Sequence, residues 1–130
     1  MNARPNAWMH QAQQDLALAQ LARDNGFLAA ACFHASQAAE KALKSALLEL
    51  GLVPLPHVLN TLVSQLQDAG INTQNLQRLA LRQLSRMAVQ SRYPMDATPA
   101  SELFDQEDAD QALMTATDVI TIVQALDQQA

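Results

Sequence analysis

Apolar residues recur at spacings of three and four along most of the chain, which is the period of an amphipathic helix. The first run predicts a helix over residues 7–24, ended by Asn25 and Gly26. The second predicts a helix over residues 27–50, with many alanines on its packed side. Because alanine side chains are small, we expect another helix to approach this side closely.

Three further helices are predicted in the second half of the chain. A shorter one covers residues 58–69, a long one covers 74–90, and the last begins near Asp105, a good N-terminal cap. Short connections between long amphipathic helices favour antiparallel neighbours. The pattern therefore predicts an all-α fold, an up-and-down bundle of four long helices plus one shorter helix, as a single domain over residues 1–130.

Composition limits the binding partners and the cellular compartment that we expect for such a bundle. The net charge of −5 argues against general electrostatic binding to nucleic acid. The single Cys32 lies in an apolar run and is interpreted as a small buried hydrophobe. We expect no secretory signal, because no basic segment followed by an apolar one opens the chain. We expect no membrane span, because no apolar run approaches the roughly 18 residues that a span needs. The expected compartment is a reducing cytoplasm.

Familiar catalytic and metal-binding patterns are missing from the sequence. The three histidines are far apart, and no Glu-x-x-His pair is present, so we expect no metal site. No Gly-x-Ser-x-Gly sequence or glycine-rich phosphate loop occurs. We therefore expect no cofactor, and we expect the protein to be neither a conventional hydrolase nor a nucleoside triphosphatase.

Arginines are concentrated in the segment that ends the fourth predicted helix. Arg78, Arg82 and Arg86 recur every four residues, and a spacing of four advances only about 40° around a helix. They are therefore expected to form one stripe, with Arg92 beyond its end. The stripe is either a solvated helix face or a docking surface for RNA or an acidic partner.

A polar group on the second helix raises a similar choice. Its members are Gln37, Glu40, Lys41 and Lys44. They form either an ordinary solvated face or a patch that faces a partner subunit or a nucleotide. Asp15 is either a surface charge or a half-buried carboxylate paired with Arg92 or Lys41, because a buried carboxylate needs such a partner. Trp8 is assigned to the core, and His34 and His57 are given structural roles.

The longest connection, residues 91–104, contains Arg92, Tyr93 and Pro94. Pro94 biases the preceding residue away from helical geometry, so this turn ends the fourth helix. Tyr93 is expected to pack its ring over the end of the bundle, with a polar partner for its hydroxyl. Neither role explains Arg92, and long loops in compact domains are often functional.

Several of these features together resemble a known family. The first two helices read WMHQAQQDLALAQLARDNGFLAAACFHASQAAEKALKSALLELG, and PHVLNTL and Arg-Tyr-Pro follow in order. This chain resembles the HEPN family, the "higher eukaryotes and prokaryotes nucleotide-binding" domain, over about residues 8–126. The resemblance rests most on the segment QAAEKALK, which starts at Gln37.

The resemblance implies a helical bundle that forms homodimers and binds a nucleotide or RNA. It also implies a minimal nucleotidyltransferase as partner, in some cases as a toxin–antitoxin pair. Many HEPN proteins carry an Arg-x(4–6)-His motif that forms a metal-independent ribonuclease site. Arg92 matches its arginine, whereas positions 97–99 hold Ala, Thr and Pro. The leading prediction is therefore a binding subunit, and the alternative is a metal-independent endoribonuclease or toxin using Arg92 at a dimer interface. An interaction protein with no nucleotide role is the third hypothesis.

Overall fold

The computed structural model describes residues 3–55, 58–94 and 97–127, so His57 lies outside the described part. Helices account for most of these residues and confirm the predicted all-α bundle. In chain order they are α1 (Ala3–Asp24), α2 (Leu28–Glu49), α3 (Leu59–Asp68), α4 (Gln74–Gln77), α5 (Leu81–Gln90) and α6 (Gln106–Asp127), with a 3-10 turn at Ala100–Glu102 before α6.

Helix α2 is the centre of the bundle and contacts α1, α3, α5 and α6. Its alanines are fully buried at Ala31, Ala35, Ala38, Ala39 and Ala42. Small side chains at these positions let neighbouring helices approach closely, as the sequence predicted. The extensive contact between α1 and α2 places their polar edges side by side.

Helix α1 begins at Ala3, earlier than the predicted start at residue 7. Pro5 is compatible with this start because the first turn of a helix needs no partner for its missing N–H. The residue is buried, and its carbonyl oxygen accepts a hydrogen bond of 2.8 Å from Ser45 Oγ. This bond joins the start of α1 to the last third of α2.

The long helix predicted over residues 74–90 is divided, and that part of the prediction is wrong. Helix α4 ends at Gln77 and α5 starts at Leu81. Leu76 and Leu81 are both buried, at 0% and 2% exposure. Five residues correspond to a rotation of roughly 140° on a continuous helix, so both side chains reach one core only if the helix is broken.

The helix ends follow from local sequence. Gly26 has φ 83°, and the N–H groups of Gly26 and Phe27 donate to the carbonyls of Arg23 and Ala22 to close α1. At the start of α6, Asp105 and Asp108 each accept a hydrogen bond from the other's backbone N–H, at 2.8 and 3.0 Å. Of the helices in the described ranges, none combines the length and apolar character that crossing a membrane requires.

Candidate functional site

A cleft with a volume of about 380 Å³ lies where the start of α2 meets the chain that leaves α5. We call it the Arg92 cleft. Its walls come from three parts of the chain: Gly26 to Ala30 with Phe33 and His34, then Ser91 and Arg92, and finally Ser101. The cleft therefore depends on packing between α2 and the long connection after α5, which brings distant residues together.

Arg92 is exposed and is held by one hydrogen bond and two aromatic rings. Its Nε donates to the carbonyl oxygen of Ala88 at 2.9 Å. Its Cζ lies 5.0 Å from the centre of the Phe33 ring and 5.4 Å from that of Tyr93. These contacts orient a guanidinium whose Nη atoms form no ion pair within residues 3–55, 58–94 and 97–127.

Tyr93 differs from its predicted position. Its ring is 57% exposed instead of being packed over the end of the bundle. Together with Phe27, which is 67% exposed, it places aromatic surface near an exposed arginine. Aromatic rings and guanidinium planes are the surfaces on which single-stranded bases stack.

His34 was predicted to have a structural role, but it lines the same cleft as Arg92. The imidazole is half-buried and meets the Phe33 ring edge-on, with centroids 5.2 Å apart. Phe27, Ala30 and His34 follow one another at spacings of three and four, so they share one side near the start of α2. This spacing was the signal in the sequence that could have placed His34 beside Phe27.

At the three positions where the ribonuclease motif would have its histidine, the chain has Ala97, Thr98 and Pro99. None of these side chains can act as a general base. Among the described residues that line the cleft, His34 is the one with an imidazole, a side chain able to act as a general base.

The predicted polar group on α2 makes contacts within the chain. Lys41 Nζ lies 2.6 Å from Asp15 Oδ2, which identifies Lys41 and not Arg92 as the partner of Asp15. The other oxygen of this carboxylate accepts a bond of 3.1 Å from Gln11 Nε2. Asp15 is buried, at 8% exposure. The pair therefore has a structural function, and its participation in binding stays a prediction.

Glu40 and Lys44, which flank Lys41 on α2, form a second ion pair with Nζ and Oε2 3.0 Å apart. Lys44 Nζ also lies 5.6 Å from the centre of the Trp8 ring. Trp8 is half-buried and takes part in this polar edge instead of the central core. Gln37 is half-buried between His34 and Lys41, so the polar stripe of α2 leads from the Arg92 cleft to these ion pairs.

The predicted stripe of three arginines does not form. Arg78 is the cap residue at the end of α4, whereas Arg82 and Arg86 lie one turn apart on α5. The latter two line an open groove between α3 and α5 with a volume of about 630 Å³, which we call the α3–α5 groove. Its other lining residues are Val58, Asn60, Ser85, Val89 and Gln90.

The described residues provide neither a reactive thiol nor a set of metal ligands. The thiol of Cys32 is fully buried, and burial raises its pKa from 9.0 to about 12, with smaller contributions from the carboxylates of Asp108 and Asp105. Such a thiol carries too little thiolate to act as a nucleophile near neutral pH. Across residues 3–55, 58–94 and 97–127, no group of three His, Cys, Asp or Glu side chains could hold a metal ion.

The sequence matches the HEPN domain over residues 5–126. The chain belongs to the HEPN family. The match spans every helix of the bundle and includes Asp15, the polar group on α2 and Arg92.

Solved structures agree with this assignment. TT1696 from Thermus thermophilus is 33% identical, with a TM-score of 0.86 over 96% of this chain and 98% of that one. An HEPN domain protein from Thermotoga maritima has a TM-score of 0.74 at 20% identity, over 95% of this chain and 99% of that one. The archaeal HEPN homologue ST0689 has a TM-score of 0.71 at 23% identity, over 94% and 96%. The last two show the shared HEPN fold, and no curated protein matches the sequence.

Proposed function

We propose that this HEPN protein is a homodimeric, cytoplasmic binding subunit that holds a nucleotide or single-stranded RNA in the Arg92 cleft without cleaving it. We further propose that it works with a minimal nucleotidyltransferase, as one half of a toxin–antitoxin-like pair. The observation that carries the proposal is the exposed Arg92 guanidinium against two aromatic rings, with no general base at residues 97–99.

The chemistry of the Arg92 cleft favours a ligand with a phosphate and a base. An arginine fork suits phosphate oxygens, and stacking on Phe33 and Tyr93 limits the conformations the fork must lose on binding. The exposed rings of Phe27 and Tyr93 offer surface for a nucleobase. Arginine and aromatic side chains in one open cleft are thus the combination expected for nucleotide binding.

An apolar patch beside the cleft supports the homodimer. Leu18, Leu21 and Phe27 are 44%, 60% and 67% exposed, and large exposed apolar side chains that cluster commonly mark interfaces. This patch continues into the Arg92 cleft, because Phe27 and His34 line both surfaces. A second copy on the patch would therefore lie at the rim of the cleft.

The ribonuclease alternative has one specific observation in its favour. His34 lines the same cleft as Arg92, and an imidazole is the side chain used most often as a general base near neutral pH. In this alternative His34 would take the proton of the ribose 2′-hydroxyl as its oxygen bonds to phosphorus, and Arg92 would bind the phosphate. The P–O5′ bond would break, and the departing 5′-oxygen would take a proton from water. The reaction would need no metal ion.

Two experiments test the proposal. Capture of the tagged chain from its native cells, at native expression, should recover a nucleotidyltransferase-like protein in stoichiometric amount. Labelled single-stranded RNA should bind the purified chain and stay intact in EDTA. The Arg92→Ala substitution should weaken this binding. Arg78→Ala is the matched control, since Arg78 is an exposed arginine outside the cleft. Cleavage in EDTA that both Arg92→Ala and His34→Ala abolish would replace the binding function with the ribonuclease.

A further inference from the structure

We infer that the α3–α5 groove is the docking site for an acidic amphipathic helix of a partner protein. The inference rests on the proposed function in that it gives the binding subunit a protein partner. It assigns that partner a surface separate from the Arg92 cleft, since the two share no lining residue.

Exposed aliphatic surface forms the apolar part of the groove. Val58, just before α3, is 49% exposed, and Val89 on α5 is 56% exposed. Both walls are helices of ten residues, which corresponds to a length of roughly 15 Å. A groove of this kind between two helices accepts the apolar stripe of a third helix, with anchors at spacings of three and four.

Arg82 and Arg86 give the groove a positive rim on a chain whose net charge is −5. They lie one turn apart on α5, so their like charges repel each other. Within the described residues neither arginine forms an ion pair. Carboxylates at positions i and i+4 of a docked helix have the same spacing and would neutralise both charges.

Asn60 adds a polar requirement to the groove. Its Oδ1 atom is buried without a hydrogen-bond partner among the described residues. A buried acceptor without a donor is unfavourable, because it has lost its hydrogen bond to water. Because the amide lines the groove, a rotation about its last side-chain bond would let it bond a polar group of a docked helix.

The composition of the groove favours a protein helix over RNA. Sequence-tolerant binding of single-stranded RNA uses aromatic side chains on which bases stack. Such rings are present at the Arg92 cleft, whereas the described residues that line the α3–α5 groove include none. Aliphatic side chains flanked by arginines instead match leucine or isoleucine flanked by aspartate or glutamate.

Site-specific photo-cross-linking tests the inference on the full chain. The photoreactive residue p-benzoylphenylalanine replaces Val89, the chain is expressed at native level, and irradiation is followed by mass spectrometry. The expected product joins residue 89 to an acidic amphipathic segment of another protein. The same residue placed at Met114, which is 66% exposed on α6, is the control and should not join that segment.

Charge reversal then tests the contribution of the rim. Arg82→Glu together with Arg86→Glu should lower the yield of the cross-link at least about tenfold, because two attractive contacts become repulsive. Arg78→Glu should leave it unchanged. A cross-link to RNA, to a second copy of this chain or to nothing would overturn the inference. If capture recovers a nucleotidyltransferase that the combined Arg82→Glu and Arg86→Glu variant retains, the inference about the groove is wrong and the proposed function stands. If no partner is recovered, the inference and the proposed partnership both fail.

Discussion

Lys41 Nζ lies 2.6 Å from Oδ2 of Asp15, and this ion pair joins α2 to α1 at the edge of the core. The side chains are only 24% and 11% exposed, so solvent screens the pair much less than an ion pair on the surface. Removal of one partner leaves the other charge in a poorly solvated place. We therefore expect the pair to favour the register of α1 against α2 in which the two charges meet.

Lys41→Met should lower the free energy of unfolding by roughly 2 kcal/mol, since the Asp15 carboxylate keeps only its bond from Gln11. The double variant Asp15→Leu with Lys41→Met should recover most of this loss, because no unpaired charge remains. Urea denaturation of wild type, Asp15→Leu, Lys41→Met and the double variant, all at one protein concentration, measures both effects. Strictly additive losses would show that the two side chains are not coupled.

Substitution of Arg92 should have the opposite effects, a small loss of stability and a large loss of ligand binding. Its guanidinium is exposed and contacts two rings and one carbonyl, so Arg92→Ala should lower the free energy of unfolding by less than about 1 kcal/mol. The same change should weaken the binding of labelled RNA or nucleotide, whereas Lys41→Met should weaken folding and leave binding largely intact. Thermal melting and fluorescence anisotropy separate the two effects. A melting temperature as low as that of Lys41→Met would place Arg92 among the structural residues.

The fold could be predicted from sequence because its signals are local. Apolar periodicity marked the helices, and Gly26 and Asp105 marked a helix end and a helix start. The break between α4 and α5 was not predicted, because three arginines spaced by four residues are consistent with one helix. The burial of both Leu76 and Leu81 decides against it, and burial depends on the tertiary core.

The site was predicted less completely for a related reason. Arg92 and the choice of Lys41 or Arg92 for Asp15 came from motif and from charge, which sequence displays directly. The contribution of His34 to the Arg92 cleft depends on how the start of α2 packs against residues that follow α5. Residues nearly sixty positions apart carry no local signal of such proximity.

Cys32 should make stability depend on pH in the alkaline range. Its pKa is 9.0 in an unfolded chain and about 12 in the fold, where burial and then Asp108 and Asp105 oppose the thiolate. The unfolded state therefore loses the proton first, and stability that is complete below pH 9.0 falls as pH rises toward 12. The slope contributed by this group is at most about 1.4 kcal/mol per pH unit.

The comparison with Cys32→Ala isolates this contribution, because every other side chain is the same in both proteins. The difference in free energy of unfolding between wild type and variant should shrink between pH 9 and 11. A thiol reagent at pH 8 should also react with the native protein only at the rate of unfolding. Rapid labelling of the native protein, or a difference independent of pH, would contradict the burial of the thiol.

The patch formed by Leu18, Leu21 and Phe27 yields a prediction about assembly. If a second copy covers it, Leu21→Glu should convert a dimer to a monomer, because burial of a carboxylate against leucine and phenylalanine is strongly unfavourable. Met114→Glu is the matched control, since Met114 is 66% exposed on α6 and lies outside the patch. Sedimentation equilibrium measures the molar mass of each protein. A dimer that survives Leu21→Glu, or one that Met114→Glu dissociates, would move the interface away from the Arg92 cleft.

The loss of the dimer should also weaken RNA binding if the second copy contributes to the rim of the cleft. Unchanged affinity in the monomer would confine the ligand to one chain.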